Sequence, residues 1–282
     1  MSSLYRSQLG EDQVLKEYRA LLDTWPVPYK SKHISTEYGS TFVIESGLED
    51  NPPLLLLHGS VSNSLSWMGD VEWLCKTHRV FAVDIIGEAG FSDPSRPAYE
   101  RGAYADWLGE LSTSLGYSEL AVVGMSLGGW MALDFATRHP ERVTRLGLIC
   151  TSGIVRESRT FVFKAVFYML LGEWGKRRIL AMVNGGKEPD SQGMADAFEF
   201  FGLVGEHFRP RTGKLPIFAD AVLTKLTMPV LAIAGEKDAL IPAQPTLSRL
   251  SGIAPNVTVV LLPDTGHIIT NQAERLALFL NQ

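Results

Sequence analysis

Between residues 53 and 149 short apolar runs alternate with longer amphipathic stretches. Pro53 to Leu57, Arg79 to Val83, Leu120 to Val123 and Val143 to Ile149 carry few polar residues, as expected of strands covered on both faces in a parallel sheet. Trp67 to Lys76, Tyr104 to Leu115 and Leu127 to Arg138 fill the gaps with helical spacing. Upstream, Val14, Leu15, Tyr18, Leu21 and Leu22 predict an amphipathic helix over about residues 10–22, which Trp25-Pro-Val-Pro breaks. Two alternating segments, Lys32 to Tyr38 and Thr41 to Glu45, then flank Gly39-Ser40 as a hairpin would.

The alternation stops from about 152 to 226, where helix-like segments rich in aromatics (Phe161, Phe163, Phe167, Tyr168 and Trp174 among them) take over. It resumes with a strand from Val230 to Ala234, a helix from Gln244 to Leu250, a strand from Val257 to Leu262 and a last helix from about Gln272 to Leu280. Repeated β-α-β units with right-handed crossovers put helices on both faces of a mostly parallel sheet of about eight strands. The expected organisation is therefore an α/β core from residues 1–151 and 227–282, interrupted by a helical insertion over 152–226.

Composition narrows the function classes. A chain of 282 residues can bury a large core. Its net charge of −5 leaves no footprint for nucleic acid, and the one basic run, Lys176-Arg177-Arg178, reads as a solvated helix face. The first residues lack the apolar stretch of a signal peptide, and Phe161 to Leu171 is too short for a bilayer and contains Lys164, so a cytoplasmic protein without membrane attachment is expected. Cys75 and Cys150 form no CxxC pair and are expected as free, half-buried thiols, with no metal site. His33, His78, His139 and His207 fall in turns or polar stretches and are expected to be solvated.

The sharpest chemical signal is Gly124-Met125-Ser126-Leu127-Gly128, set between the apolar run at Leu120 and the helix that continues through Met131 and Phe135. A tight strand-to-helix turn holds a central serine in a strained conformation with its hydroxyl above the sheet, and glycines flank it where a β-carbon would collide. The helix N-terminus beneath it favours developing negative charge, and the Leu127 amide is placed to meet an oxyanion. The pentapeptide alone recurs by chance; its place after a strand and before a helix sets it apart.

Four segments in this order resemble the α/β-hydrolase superfamily: LLLLHGS (54–60), AVVGMSLGG (121–129), MPVLAIAGEKDALIP (228–242) and LLPDTGH (261–267). Within it, AVDIIGEAGFS and YADWLGELSTSLG ahead of GMSLGGWMAL are similar to carboxylesterase-like members. One departure stands out. Many members carry Asp-x-x-Gly-x-Gly-x-Ser after the fourth strand, whereas Asp84 to Ser92 here holds one extra residue between Gly87 and Gly90.

The resemblance implies an α/β-hydrolase fold and a triad in chain order Ser126, Asp238 and His267, since a neutral hydroxyl needs a base and the base an orienting carboxylate. Asp264 and, more weakly, Glu236 rival Asp238. It further implies an oxyanion hole from the Leu127 amide and a second amide after His58-Gly59, that of Ser60 with Val61 as the alternative. Met125, Trp130 and Val61, with Trp67, are candidates to line a substrate pocket, although large apolar side chains there also serve as core.

The activity implied is two-step acyl transfer on a small-molecule ester or related acyl bond with an apolar group, without cofactor or metal, by a monomer or homodimer, the insertion forming a helical cap. Dehalogenases and epoxide hydrolases of the superfamily place an aspartate where Ser126 stands, and carbon–carbon bond hydrolases often a tryptophan where Ile268 follows His267. Lactone or amide cleavage, carbon–carbon bond hydrolysis and a slow-turnover ligand sensor are the alternatives on the same triad.

Overall fold

The computed structural model describes residues 4–186 and 192–282. Its centre is one eight-stranded sheet, β1 (Tyr29–Thr36), β2 (Gly39–Ser46), β3 (Pro53–Leu57), β4 (Arg79–Val83), β5 (Leu120–Met125), β6 (Val143–Ile149), β7 (Val230–Gly235) and β8 (Val257–Leu262), in the spatial order β1-β2-β4-β3-β5-β6-β7-β8. Strand β2 runs antiparallel to β1 and β4, and every pairing from β4 through β8 is parallel.

The apolar run in β3 is explained by cover on both sides. Successive side chains of a strand point to opposite faces. Leu55 and Leu57 accordingly join the apolar cluster beneath α3 (Ala103–Ser114), α4 (Leu127–Arg138) and α9 (Ala243–Ile253). Leu54 and Leu56 join the opposite one, beneath α1 (Gln8–Leu22), α2 (Val71–Leu74) and α10 (Ala273–Leu280). All four leucines are inaccessible to solvent.

The sequence expectations need correction in a few places. The hairpin turns at Glu37-Tyr38, and Gly39 and Ser40 already belong to β2. Gly39 takes a φ of 123°, which suits glycine, and the Thr36 hydroxyl closes the turn by donating to the Gly39 carbonyl at 2.8 Å. The helix expected over Trp67 to Lys76 is a 3₁₀ turn, Ser64–Trp67, followed by the single turn α2. Asn63 caps the first piece by accepting from the Leu65 amide at 3.1 Å, and Gly69 interrupts the pair before Asp70 starts the second. His78 is buried rather than solvated, and Cys150 is fully rather than half-buried.

Residues 152–226 hold α5 (Arg159–Met169), α6 (Gly172–Val183), α7 (Gln192–His207) and the one-turn α8 (Asp220–Leu223). They divide by burial. Phe200, Val204 and Phe208 of α7 and its end share the apolar cluster of Tyr18 in α1, and the Arg6 amide donates to the His207 carbonyl at 2.8 Å. By contrast α5 and α6 leave Phe163, Phe167, Leu170 and Trp174 exposed, and Lys176-Arg177-Arg178 is solvated as expected. Among the described residues no helix is long and apolar enough to cross a membrane.

A buried carboxyl between the two halves of the broken helix makes the fold sensitive to pH. Asp70 is 8 % exposed, and its Oδ1 has no hydrogen-bond donor among the described residues. Burial pushes its carboxyl up to about 6, partly opposed by the Ala273 amide. The folded value lies above the unfolded one, so this group's contribution is fully present below about pH 4 and is lost as pH rises through about 6. The loss is on the order of 3 kcal/mol at most. Asp70→Asn removes the titration. Its urea-unfolding free energy relative to the unsubstituted protein should therefore improve between about pH 4 and pH 8, and a difference that stays constant would refute this account.

Candidate active site

The turn from β5 to α4 is built around Ser126, which has φ 51° and ψ −109°. Such a conformation costs on the order of 1–3 kcal/mol and survives only where its surroundings over-determine it. Three backbone hydrogen bonds do so. The Ser126 amide donates to the Ile149 carbonyl at 2.9 Å, and the Ser126 carbonyl accepts from Trp130 at 3.1 Å and Ser152 at 3.2 Å. The flanking glycines let the backbones meet. A β-carbon on Gly128 would lie 2.5 Å from the His58 carbonyl oxygen and closer still to that of Leu57, and one on Gly124 would lie 2.5 Å from the Gly128 carbonyl carbon.

Two loops bring partners to this serine. The His267 Nε2 lies 3.0 Å from Ser126 Oγ, and its Nδ1 lies 2.7 Å from Asp238 Oδ2. Asp238 follows β7 and its side chain is 1 % exposed; the other oxygen, Oδ1, accepts from the amides of Leu240 at 2.8 Å and Ile241 at 2.9 Å. A carboxylate so fixed retains the Nδ1–H tautomer and leaves the Nε2 lone pair directed at the hydroxyl. His267 follows β8, and its own amide donates to the Val183 carbonyl at the end of α6 at 2.7 Å. The rival Asp264 turns outward to pair with Lys237 at 2.8 Å, and Glu236 accepts from the Asp264 amide at 3.2 Å. All three converging side chains thus stand beyond the C-terminal ends of parallel strands, where crevices in such sheets form.

On the other side of Ser126 lies the loop after β3. A β-carbon on Gly59 would sit 3.6 Å from the Ser126 Cβ. His58 is inaccessible; its Nε2 accepts from the Ile85 amide at 2.9 Å and its Nδ1 lies 2.7 Å from the Gly59 carbonyl. Burial lowers its pKa, so it stands as a neutral strut between the ends of β3 and β4. Leu127 opens α4, so its amide lacks a partner within the helix. Of the two amides expected to face Leu127, that of Val61 already donates to Glu88 Oε2 at 2.7 Å. No such bond engages the Ser60 amide among the described residues.

Buried carboxylates outside the Ser126, Asp238 and His267 group hold this loop. Asp84, 1 % exposed, accepts at Oδ1 from the Tyr18 hydroxyl (2.8 Å), the Ser64 amide (3.0 Å) and the Ser64 hydroxyl (2.7 Å), and at Oδ2 from the Phe91 amide (2.9 Å). Glu88 is 3 % exposed, and burial pushes its carboxyl up to about 7, against the Val61 amide and the fields of Arg96 and Arg211. Sequence reasoning placed Asp84 at the head of a motif without a role and missed Glu88. The available signal was the extra residue between Gly87 and Gly90, which brings Glu88 into the loop.

The pocket candidates separate. Trp130 is 1 % exposed, donates from its ring nitrogen to the Pro216 carbonyl at 2.9 Å and packs against Tyr99 and Phe218 at 5.2 and 5.6 Å between ring centres. Trp67 is inaccessible. Both tryptophans are core here, since a ring with no accessible surface offers none to a ligand. Met125 and Val61 are half-buried in one apolar cluster beside Ser126. Among the described residues no group of three or more His, Cys, Asp or Glu side chains is arranged to hold a metal ion.

The comparisons with known proteins agree with this architecture. A model of the alpha/beta hydrolase family matches residues 54–277. The chain is 31 % identical to the uncharacterized carboxylesterase nap of Bacillus subtilis, over 94 % of this chain and 91 % of that protein. It is 29 % identical to carboxylesterase YbfK of the same organism, over 90 % and 86 %. The crystal structure of naproxen esterase (carboxylesterase NP) from Bacillus subtilis superposes with a TM-score of 0.83 at 27 % identity, covering 99 % of this chain and 97 % of that one.

The crowding at the turn makes a stability prediction. Gly128→Ala forces a β-carbon against two backbone carbonyls that cannot rotate away, and should cost about 1–3 kcal/mol in urea unfolding. Gly202→Ala, in α7 with nothing within 4 Å of the added carbon, should be neutral or stabilising. Equal effects at the two positions would show that close approach is not what Gly128 provides.

Proposed function

The chain belongs to the α/β-hydrolase family, and on that footing we propose that Ser126, His267 and Asp238 form the catalytic triad of a carboxylesterase. It is a serine hydrolase of the carboxylesterase kind. The observation that carries the residue assignment is the relay from Ser126 Oγ to His267 Nε2 at 3.0 Å and from His267 Nδ1 to Asp238 Oδ2 at 2.7 Å.

The chemistry follows from those contacts. As Ser126 Oγ attacks the ester carbonyl carbon, His267 Nε2 takes its proton, and Asp238 stabilises the imidazolium through Nδ1–H. The carbonyl oxygen becomes an oxyanion between the amides of Leu127 and Ser60, each pointing a fixed dipole at charge that develops only in the transition state. Collapse expels the alkoxide, which takes the proton from Nε2 and leaves an acyl group on Ser126. Water, deprotonated by the same nitrogen, attacks that acyl carbonyl. Collapse of the second tetrahedral intermediate then expels the Ser126 oxygen, which takes the proton back from His267 Nε2, and releases the acid.

The substrate we infer is a small-molecule ester with an apolar acyl or aryl group. Residues 152–226 serve in this account as a helical cap over the C-terminal edge of the sheet. Side chains of α5 and the C-terminal half of α6 support it: Phe161, Tyr168 and Met182, with Lys164 and Arg178 among them, line an open cavity of about 520 Å³ that reaches Lys237 and Ala239, the neighbours of Asp238. An aspartate at the elbow would suit epoxide or haloalkane opening; a serine with a histidine base suits acyl transfer.

Hydrolysis of p-nitrophenyl esters of increasing acyl length, followed over many turnovers, tests the proposal. Ser126→Ala and His267→Ala should each lower kcat by at least about 10³-fold with the far-ultraviolet circular dichroism unchanged. A Ser126→Ala enzyme that keeps turning over would remove the nucleophile assignment, and a burst of a single equivalent from the unsubstituted protein would favour a ligand sensor. For the carboxylate, Asp238→Asn should cost about 10²-fold or more in kcat, while Asp264→Asn, which takes the charge from an exposed ion pair with Lys237, should stay within about twofold. The opposite ranking would exchange their roles.

A further inference from the structure

Val61 is the strained residue of the loop opposite Ser126. Its φ is 58°, a region that β-branched residues avoid, so something other than its own preference must hold it there. The one side-chain acceptor on its amide is Glu88 Oε2, at 2.7 Å. Glu88 itself belongs to the lengthened turn between Gly87, at φ 77°, and Gly90. That turn is tied down from outside. Arg96 donates from Nε to the Gly87 carbonyl at 2.9 Å and from Nη2 to the Arg209 carbonyl at 2.8 Å, and the Gly87 amide donates to the Asp93 carbonyl at 2.9 Å.

We propose that Glu88 is a positioning residue for the oxyanion hole: its buried side chain holds the Val61 amide, and with it the left-handed turn that aims the neighbouring Ser60 amide at the reacting carbonyl. The inference rests on the catalytic reading of Ser126 given above. It differs from a packing role, because a glutamate that merely filled space would have no reason to bring a carboxylate into a dry site. The carboxyl is lifted to about 7 by burial. Two cations face it: Arg96, committed to two carbonyls, and Arg211, which donates to the Pro97 carbonyl at 2.7 Å and the Tyr104 hydroxyl at 3.0 Å. Their fields favour the charged carboxylate, and a charged acceptor makes the stronger hold on an amide. Both arginines also tie Glu88 to residues 209–211, where the chain leaves α7. The loop beside Ser126 is thus braced from the segment that returns from the insertion.

The test compares Glu88→Ala, Glu88→Gln and Glu88→Asp. The glutamine keeps an oxygen at the same reach, and the aspartate keeps the charge but falls one methylene short of Val61. Two quantities are read: kcat and KM on p-nitrophenyl butyrate, and the inhibition constant of an alkylboronic acid, whose tetrahedral adduct on Ser126 places a negative oxygen where the oxyanion develops. Loss of the aim should cost Glu88→Ala and Glu88→Asp about 10- to 100-fold in kcat and a similar factor in boronate affinity, with KM within about threefold. Glu88→Gln should recover to within about fivefold. The proposal is overturned if Glu88→Asp or Glu88→Ala keeps both quantities within threefold of the unsubstituted enzyme, or if Glu88→Gln is as damaged as either. Should one variant fail to fold, the remaining two still decide between reach and charge. Ser126→Ala run alongside separates the two levels: if it remains active the catalytic reading itself has failed, whereas if it is silent and the Glu88 variants are unimpaired only the positioning role has.

Discussion

The rest of the molecule answers to the near-contact of three backbones around Ser126. The end of β5, the start of α4 and the end of β3 approach so closely that neither Gly124 nor Gly128 has room for a β-carbon. This closeness forces the serine into a left-handed conformation, and a left-handed serine between a strand and a helix needs external restraint. The restraint comes from the next strands in the sheet. Ile149 at the end of β6 accepts from the Ser126 amide, and the Cys150 amide beyond it donates to the Ile233 carbonyl in β7 at 2.8 Å. The strain at one residue is thereby spread over hydrogen bonds in three parallel strands, whose positions are fixed by leucines and valines packed on both faces.

The same principle of distributed restraint applies to the histidine. His267 stands on a loop at the sheet edge, where β8 has only one neighbour. Its position is set from two sides. Asp238 holds the ring, and the α6 end holds the backbone: the His267 amide donates to Val183, and Gly185 meets Gly266 so closely that a β-carbon on Gly185 would lie 2.8 Å from the Gly266 nitrogen. The insertion between β6 and β7 therefore touches the proposed machinery at two places along its length. The end of α6 braces the loop after β8, and the segment after α7, through Arg96 and residues 209–211, braces the loop after β3.

How much of this the sequence discloses depends on whether a residue's role is local. The runs at β3 to β8 are legible because burial on both faces removes polar residues from a strand, whatever its partners. The elbow is legible because its glycines answer to a steric demand within five residues. Asp238 and Asp264 could be ranked from their loops, but only the fold puts Asp238 Oδ2 at 2.7 Å from His267. The segment after β3 departs from the expected helix because its apolar positions follow helical spacing while the Asn63 cap and Gly69 divide it, and local backbone chemistry outweighs periodicity. Asp84, Glu88 and Tyr18 stayed hidden for a different reason. Their partners lie tens of residues away in sequence, Tyr18 and Asp84 being 66 positions apart, and no spacing rule spans such a distance. Trp130 shows the converse limit: beside the nucleophile in sequence, it faces Tyr99 and Phe218 in space.

The buried carboxylates show how one functional group is put to different uses by the donors supplied to it. Asp84 receives four hydrogen bonds and serves as a junction of α1, the turn after β3 and the turn after β4. Asp238 receives two amides at one oxygen, leaving the other to a single imidazole, which is the arrangement that orients a base. Glu88 receives one amide, and Asp70 has one oxygen with no donor among the described residues; burial raises both. Removing a carboxylate from water costs more as fewer donors replace it. The two poorly supplied groups are therefore poised to titrate near neutrality, and of these only Glu88 touches the loop beside Ser126. A fold under selection for stability alone has cheaper ways to fill that space, such as a leucine of the kind that recurs in both apolar clusters. Retaining an under-supplied carboxylate there makes sense if holding one amide in one direction matters more than the stability it costs.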